Sequence, residues 1–301
     1  MPHPRLRRPY RAVLAALLLL MGAAAGCGQS APAGEDPESL ARMDEALRAK
    51  LPADVRERGI LRIGTDASYA PMSSFGPDGR TIIGMEPDLG EALGRVLGLK
   101  VRFVNTDFTR VVPDVAHRAL DLGMTAMTDT PERAQKVDFV NYFSAGTSIL
   151  VQRGNPQGIT DVKDLCGKVV AVEKGTTQVD LLSRAQANCA TERIDMQTYP
   201  TNSDALVELR TGRAGAVLND LPPAAFLVND SRTKAYYQLA STTQYEPGLY
   251  GIVVAKDRPD LRDAIQGATE ELLHSGIYAE VLDRWGVADG AVDEVSINSG
   301  R

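Results

Sequence analysis

The sequence predicts an α/β protein made of two units, and three observations support this. Its 301 residues exceed what one compact core usually holds, so two packed units are expected. From Ile60 onward, short β-rich runs alternate with amphipathic segments of helical period, which indicates largely parallel sheets. The alternation begins again at Val169, so the same pattern occurs twice.

The first copy of the pattern predicts three strands and two helices. The strands are residues 60–64, 100–104 and 122–127, and the helices are residues 87–97 and 109–119. Thr130-Pro131-Glu132 then predicts a helix start, because threonine caps helices and proline suits the first turn.

The second copy predicts four strands and three helices. The strands are residues 169–172, 194–198, 216–218 and 249–255, and the helices are residues 178–187, 203–210 and 260–275. The last fifteen residues, 287–301, are polar, and we expect this tail to be frayed.

Composition excludes several classes of protein. With 44% hydrophobic and 24% charged residues, the chain is not disordered throughout, collagen-like or a coiled coil. The formal net charge is −6, and without the four arginines of the first 26 residues, 29 basic residues face 39 acidic ones. Such an acidic chain repels phosphate backbones, so nucleic acid is not an expected partner.

The N-terminus has the pattern of an export signal. Arginines at 5–11 precede an apolar run at 12–25, which is too short to cross a bilayer. Ala24-Ala25-Gly26-Cys27 resembles the lipobox of bacterial lipoproteins, with Ala24 where leucine is usual. The resemblance implies a lipid on Cys27 and anchoring on the outer face of the cell membrane. The alternative is an ordinary signal peptide with an incidental Cys27.

Cys166 and Cys189 remain as a pair in an exported chain, where disulfides form and persist. We therefore predict a bridge between them, with two buried thiols as the alternative. No C-x-x-C motif supports a zinc or redox site.

The common catalytic signatures are missing from the sequence. It has no G-x-S-x-G, H-E-x-x-H, G-x-G-x-x-G or P-loop motif. After the signal only His117 and His274 remain, and both are expected at the surface or at helix ends. The sequence predicts no enzyme, no cofactor and no metal site.

Polar residues at strand ends and helix starts suit a small zwitterion. Asp66 follows the first strand, Asp220 ends a strand of the second half, and Arg133 follows the helix cap. The turn Gly175-Thr176-Thr177-Gln178 enters a helix whose free amides favour an anion. Ligands bind at such strand ends in open α/β sheets.

These residues resemble the extracellular solute-binding proteins of family 3, the receptors of polar amino-acid ABC transporters. The resemblance covers residues 60–285 and includes Gly84-Met85-Glu86-Pro87-Asp88-Leu89 followed by Leu93, with Met85 and Pro87 departing from the family pattern. Thr128 precedes Arg133 by five residues and Phe108 precedes it by 25, as in the family.

The resemblance implies a type II periplasmic-binding-protein-like fold, in which two α/β lobes are joined by two crossover strands near residues 143–147 and 244–248. The implied division is a lipoprotein signal peptide at 1–26, a tether and helical segment at 27–55, lobe 1 at 56–145 plus 247–286, lobe 2 at 146–246, and the polar tail at 287–301.

The resemblance also assigns the α-groups of a bound amino acid. Arg133 would pair with the α-carboxylate, and the amides at Thr128 and Thr177 would complete its shell. Asp220 and the carbonyl of Ala126 would hold the α-ammonium. The structural alternatives are a solvated Arg133 and an Asp220 that merely caps a helix.

Four further residues are assigned to the ligand side chain. Tyr69 and Phe108 would sandwich it, and Asp66 with Glu173 would line its far end. The alternatives are a core position for both rings, a turn cap at Asp66 and a solvent-facing Glu173.

The implied function is a monomeric receptor that captures a free amino acid by closure of its lobes and delivers it to a membrane permease. Two acidic residues at the far end favour arginine or lysine, then glutamine or histidine, and disfavour glutamate. A dehydratase on the same fold and an amino-acid sensor remain alternatives.

Overall fold

The computed structural model describes residues 36–300. The helices are α1 (Glu45–Lys50), α2 (Ala53–Arg58), α3 (Met85–Val96), α4 (Phe108–Ala116), α5 (Pro131–Ala134), α6 (Thr177–Ala185), α7 (Asn202–Arg210), α8 (Leu221–Asn229), α9 (Pro259–His274) and α10 (Ile277–Arg284). The strands are β1 (Ile60–Thr65), β2 (Ser68–Tyr69), β3 (Ser73–Phe75), β4 (Ile82–Ile83), β5 (Lys100–Asn105), β6 (Leu122–Gly123), β7 (Val137–Gln152), β8 (Val169–Glu173), β9 (Asp195–Tyr199), β10 (Ala216–Asp220), β11 (Tyr237–Leu239), β12 (Tyr245–Ala255) and β13 (Ser296–Ile297).

Most strands belong to one mixed sheet in the order β5-β1-β6-β12-β7-β10-β8-β9, and β11 and β13 also pair with β7. Strands β2, β3 and β4 form a separate small antiparallel sheet. In the first lobe β1 is parallel to β5 and β6, and in the second lobe β8 is parallel to β9 and β10.

Each lobe has its own buried apolar core. In the first lobe, α3 and α9 pack Leu89, Leu93 and Ile265 against the sheet. In the second lobe, the core under α6 includes Leu182, and that under α7 includes Leu209. Two cores separated along one sheet allow the lobes to pack independently.

The long strands β7 and β12 run antiparallel through both lobes. Strand β12 pairs with β6 of the first lobe, while β7 pairs with β10 of the second. The β7–β12 register shifts between Tyr245 and Gly248, which lies in the predicted crossover region. The residue limits of the lobes stay predictions.

The tail corrects one expectation. We expected residues 287–301 to be frayed, but Ser296 and Ile297 pair with β7. The Asn298 side chain accepts from the Phe139 N–H at 2.8 Å and donates to Asp138 at 3.0 Å. These hydrogen bonds, together with the packing of Val292 and Val295 against the first-lobe core, hold the tail, and composition alone does not reveal them.

One predicted strand is longer than the observed one. The strand predicted at 122–127 ends at Gly123, because the chain then turns and Ala126 takes the left-handed conformation with φ 49°. This turn directs the following loop toward the second lobe.

The predicted disulfide is confirmed: Cys166 and Cys189 are bonded, with 5.5 Å between their Cα atoms. The bridge joins the segment before β8 to the turn after α6. Within residues 36–300, no helix is long and apolar enough to cross a membrane. The predicted signal peptide and Cys27 lie outside the described residues.

Candidate functional site

One cavity between the lobes brings together all the residues predicted for the site. Its lining consists of Asp66, Tyr69, Phe108, Thr125, Ala126, Thr128, Arg133, Glu173, Thr176, Thr177, Gln178 and Asp220. In this list, the residues from Asp66 through Arg133 belong to the first lobe, and those from Glu173 through Asp220 belong to the second lobe.

Arg133 lies on α5 and reaches across to the second lobe. Thr130 caps this helix, as predicted, by accepting from the Arg133 N–H at 3.3 Å. The guanidinium donates to the carbonyl of Thr128 at 2.8 Å and to that of Gly175 at 2.9 Å. It also lies 5.4 Å from the centre of the Phe108 ring. Burial lowers the pKa of Arg133, while the negative charges of Asp180 and Asp220 oppose that shift.

Asp220 precedes α8, but its side chain does not cap that helix. Instead the carboxylate accepts from Tyr250 Oη at 2.6 Å, from Gln178 Nε2 at 2.7 Å and from Tyr69 Oη at 3.2 Å. Burial raises the pKa of Asp220 to about 6, although these hydrogen bonds and Arg133 lower it. Tyr69 thus connects the lobes through its hydroxyl as well as lining the cavity.

Two more carboxylates lie in the cavity, one from each lobe. Asp66, 5% exposed, follows β1, and its Oδ1 accepts from the Ser68 N–H at 2.9 Å. Glu173, 7% exposed, ends β8, and its Oε1 has no hydrogen-bond partner among the described residues. Burial and the negative charge of Asp66 raise the pKa of Glu173 to about 9. A cationic group in the cavity would favour the ionised form of Glu173 and so oppose the rise in its pKa.

The turn before α6 and the loop after β6 both line the cavity. Thr176 donates its hydroxyl to the Glu173 carbonyl at 2.8 Å, so its side chain does not cap α6, whose first amides have no partner within the helix. On the other lobe, the Ala126 N–H donates to Glu86 Oε1 at 2.5 Å, while Thr128 forms a bridge with Tyr250 of β12.

Four residues around the site were not predicted from the sequence. Thr125, Thr176 and Gln178 line the cavity, and Tyr250 binds Asp220 from behind it. Thr176 and Gln178 belong to the turn that the analysis singled out, so their position beside Thr177 was an available signal. Tyr250 lies 30 residues from Asp220, and no local pattern indicates that contact.

The remaining candidates for chemistry lie elsewhere. His117 and His274 are exposed, at the ends of α4 and α9, and neither lines the cavity. Within residues 36–300, no group of three histidine, cysteine, aspartate or glutamate side chains could hold a metal ion.

Known proteins resemble this chain over most of its length. A family model for bacterial extracellular solute-binding proteins, family 3, matches residues 61–288. The arginine-binding protein ArgT of Corynebacterium glutamicum is 29% identical over 256 residues, covering 84% of this chain and 82% of that protein. The L-cystine-binding protein TcyJ of Escherichia coli is 29% identical over 258 residues, covering 85% of this chain and 91% of that protein.

Solved structures share the fold. An ancestral arginine-binding protein bound to arginine has a TM-score of 0.70 at 31% identity, covering 76% of this chain and 98% of that one. The ancestral amino acid-binding protein AncCDT-1, a precursor of cyclohexadienyl dehydratase, has a TM-score of 0.69 at 31% identity, covering 77% of this chain and 97% of that one. These similarities confirm the α/β, two-lobed periplasmic-binding-protein fold. Since the family model spans both lobes and the cavity between them, the chain belongs to the bacterial extracellular solute-binding proteins of family 3.

Proposed function

We propose that this protein is the substrate-binding receptor of an ABC importer and that it captures a free cationic amino acid. The observation that carries the proposal is the distribution of charge in one cavity. Arg133 and the start of α6 suit a carboxylate, whereas Asp66 and Glu173 together suit a positively charged side chain.

The α-groups would bind where the lobes meet. Arg133 binds the α-carboxylate, helped by the amides at Thr128 and Thr177. Asp220 and the Ala126 carbonyl hold the α-ammonium. The contacts that orient Asp220, from Tyr69, Gln178 and Tyr250, support this role because they leave its carboxylate fixed inside the cavity.

The cavity residues around the ligand side chain determine which amino acids we expect to bind best. A guanidinium or ammonium group meets Asp66 and Glu173 and gains cation–π attraction from Phe108 and Tyr69. A neutral amide gains no charge pairing and does not favour ionisation of Glu173, and an acidic ligand adds a negative charge beside Asp66. We therefore rank arginine or lysine first, glutamine or histidine second and glutamate last. The similarity to the arginine-binding protein ArgT supports arginine in the first rank.

Closure of the lobes around the ligand would produce the form that the membrane permease recognises. A ligand that contacts both Arg133 and Asp220 binds the closed form better than the open one, so it shifts the population toward closure. The Arg133–Gly175 and Tyr69–Asp220 hydrogen bonds support this mechanism, because each joins the two lobes.

The family is extracellular, which implies an exported protein. Beyond this, we propose that Cys27 carries a lipid which anchors a monomeric receptor to the outer face of the cell membrane. The tether of residues 27–55 and the two lobe ranges given above belong to the same proposal.

An enzyme on this fold is the second candidate, and the similarity to AncCDT-1 favours it. Groups suited to both the α-carboxylate and the α-ammonium support binding instead, and AncCDT-1 is itself an amino acid-binding protein. Mass spectrometry of the ligand before and after incubation separates the two, since a receptor returns its ligand unchanged.

A thermal-shift screen with the twenty amino acids tests the ligand class. A ligand at 100 times its Kd stabilises the folded protein by about 2.7 kcal/mol, which raises Tm by several degrees. We expect arginine or lysine to give the largest rise. Isothermal titration that finds glutamate tighter than arginine would overturn the proposed pocket.

A further inference from the structure

Glu86 belongs to the Gly84–Leu89 motif, lies outside the cavity and has no role in the proposed function. It lies in the first turn of α3 and is 0% exposed. Its carboxylate accepts from Ser73 Oγ at 2.8 Å, from the Ala126 N–H at 2.5 Å and from the Tyr142 hydroxyl. No basic side chain of the described residues is among these partners.

A carboxylate buried without a cation is unfavourable, so its three donors must hold it. Burial raises the pKa of Glu86, and the hydrogen bonds from Tyr142, Ala126 and Ser73 lower it. A buried apolar residue would fill the same space without this cost. The acceptor therefore needs an explanation beyond packing.

The three donors belong to separate segments that frame the cavity. Ser73 lies on β3 directly opposite Tyr69 of β2, and Tyr142 lies on the crossover strand β7. Ala126 lies in the loop that also carries Thr128. One side chain thus fixes the segments that bring Tyr69 and Ala126 to the cavity wall.

Of the three segments, the loop that contains Ala126 most needs such a contact. Its φ of 49° is in the left-handed region, which a residue with a Cβ adopts only when its surroundings compensate for the strain. The Glu86 hydrogen bond to the Ala126 N–H is a direct constraint on this conformation.

We infer that Glu86 is a positioning residue that acts through Ala126: as a buried hydrogen-bond acceptor, it fixes the left-handed turn and thereby aims the Ala126 carbonyl at the ligand's α-ammonium. The inference rests on the proposed function. It requires the acceptor oxygen at this position, not the negative charge.

The test compares arginine with 5-guanidinopentanoate, which is arginine without its α-amino group. In Glu86→Met, which has similar length but no acceptor, we expect arginine affinity to fall at least about tenfold. The deaminated analogue, measured by competition in the same titration, should change less than about threefold. A residue that only supports the fold would weaken both ligands equally.

Glu86→Gln supplies the rescue. Its amide oxygen can accept from the Ala126 N–H while its amide N–H donates to the Ser73 hydroxyl, so arginine affinity should stay within about threefold of wild type. Asp88→Asn is the matched control. Asp88 lies on the same helix and accepts from Trp285 Nε1 at 2.7 Å, away from the cavity, so both affinities should be unchanged.

Equal weakening of both ligands in Glu86→Met overturns this inference but leaves the proposed function standing. A loss of arginine affinity of more than about threefold in Glu86→Gln does the same. If Glu86→Met shows no cooperative thermal transition, Glu86→Asp replaces it, because a side chain shorter by one methylene cannot reach both Ser73 and Ala126. Wild-type protein that binds neither arginine nor lysine overturns the proposed function and this inference together.

Discussion

At the scale of the residue, Arg133 combines a structural and a proposed binding role. Two of its hydrogen bonds end on carbonyls, one in each lobe, and its ring neighbour Phe108 excludes water from one face. A charge in such a site needs a partner, and the proposed α-carboxylate is that partner.

Arg133→Ala should fold and lose most ligand binding. Removing one member of a buried charge pair costs roughly 2–5 kcal/mol, which corresponds to about 30- to 4,000-fold in affinity. Titration calorimetry with arginine measures the loss. A decrease of less than threefold would show that Arg133 does not bind the carboxylate.

Glu173 gives the site a dependence on pH. It faces Asp66 and Asp220 inside the cavity, with Asp204 nearby, and these negative charges act with burial to raise its pKa to about 9. A carboxyl group with a raised pKa holds its proton at neutral pH. A bound cation favours the ionised form, so binding should release that proton.

We expect arginine affinity to rise from about pH 7 to 8, by at most about tenfold per pH unit for one proton. Calorimetry in phosphate and in Tris, which differ in ionisation enthalpy, counts the protons released. Glu173→Gln should abolish the release and weaken arginine more than glutamine. Equal proton counts in wild type and variant would contradict the assignment.

At the scale of the element, the strands and helices of the repeated α/β pattern are well predicted because their signals are local. The helix predicted at 260–275 is observed as Pro259–His274, and the strand at 100–104 as Lys100–Asn105. Helix α8 was indicated only through Asp220 as a possible cap, because Pro222-Pro223 lies in its first turn and the helix is apolar around most of its surface. Strand β13 escaped because its partner, β7, lies about 155 residues away.

The site follows the same division. Asp66, Glu173 and Asp220 stand at strand ends, so sequence alone indicates that they gather at one edge. The contacts that orient Asp220 come from Tyr250 and Tyr69, which are 30 and 151 residues away in the sequence, and only the folded chain reveals them.

The disulfide acts on stability and not on the site. It closes a loop between Cys166 and Cys189, 23 residues apart, and neither cysteine lines the cavity. Replacing both by serine should lower the free energy of unfolding by about 3 kcal/mol on the chain-entropy model. Urea denaturation measures this change. Arginine affinity should stay within twofold, and a tenfold loss would place the loop in the binding mechanism.

At the scale of the whole molecule, the Arg133 and Tyr69 side chains join the lobes directly at the cavity. Arg133 donates to the Gly175 carbonyl, and Tyr69 shares its hydroxyl with the Asp220 side chain and N–H. Both belong to residues that we assign to the ligand. The groups that would bind the ligand therefore also set the balance between the open and closed forms.

Tyr69→Phe removes both hydrogen bonds between the Tyr69 hydroxyl and Asp220 while keeping the ring. Without arginine, the variant should populate the open form more, and small-angle X-ray scattering should give a larger radius of gyration than for wild type. Saturating arginine should bring both proteins to the same radius, with weaker affinity in the variant because part of the binding free energy goes into closure. Tyr199→Phe is the matched control, since that hydroxyl donates to Gln197 within one lobe at 3.0 Å. Identical radii for Tyr69→Phe and wild type without arginine would show that the hydrogen bonds of the Tyr69 hydroxyl do not hold the lobes together.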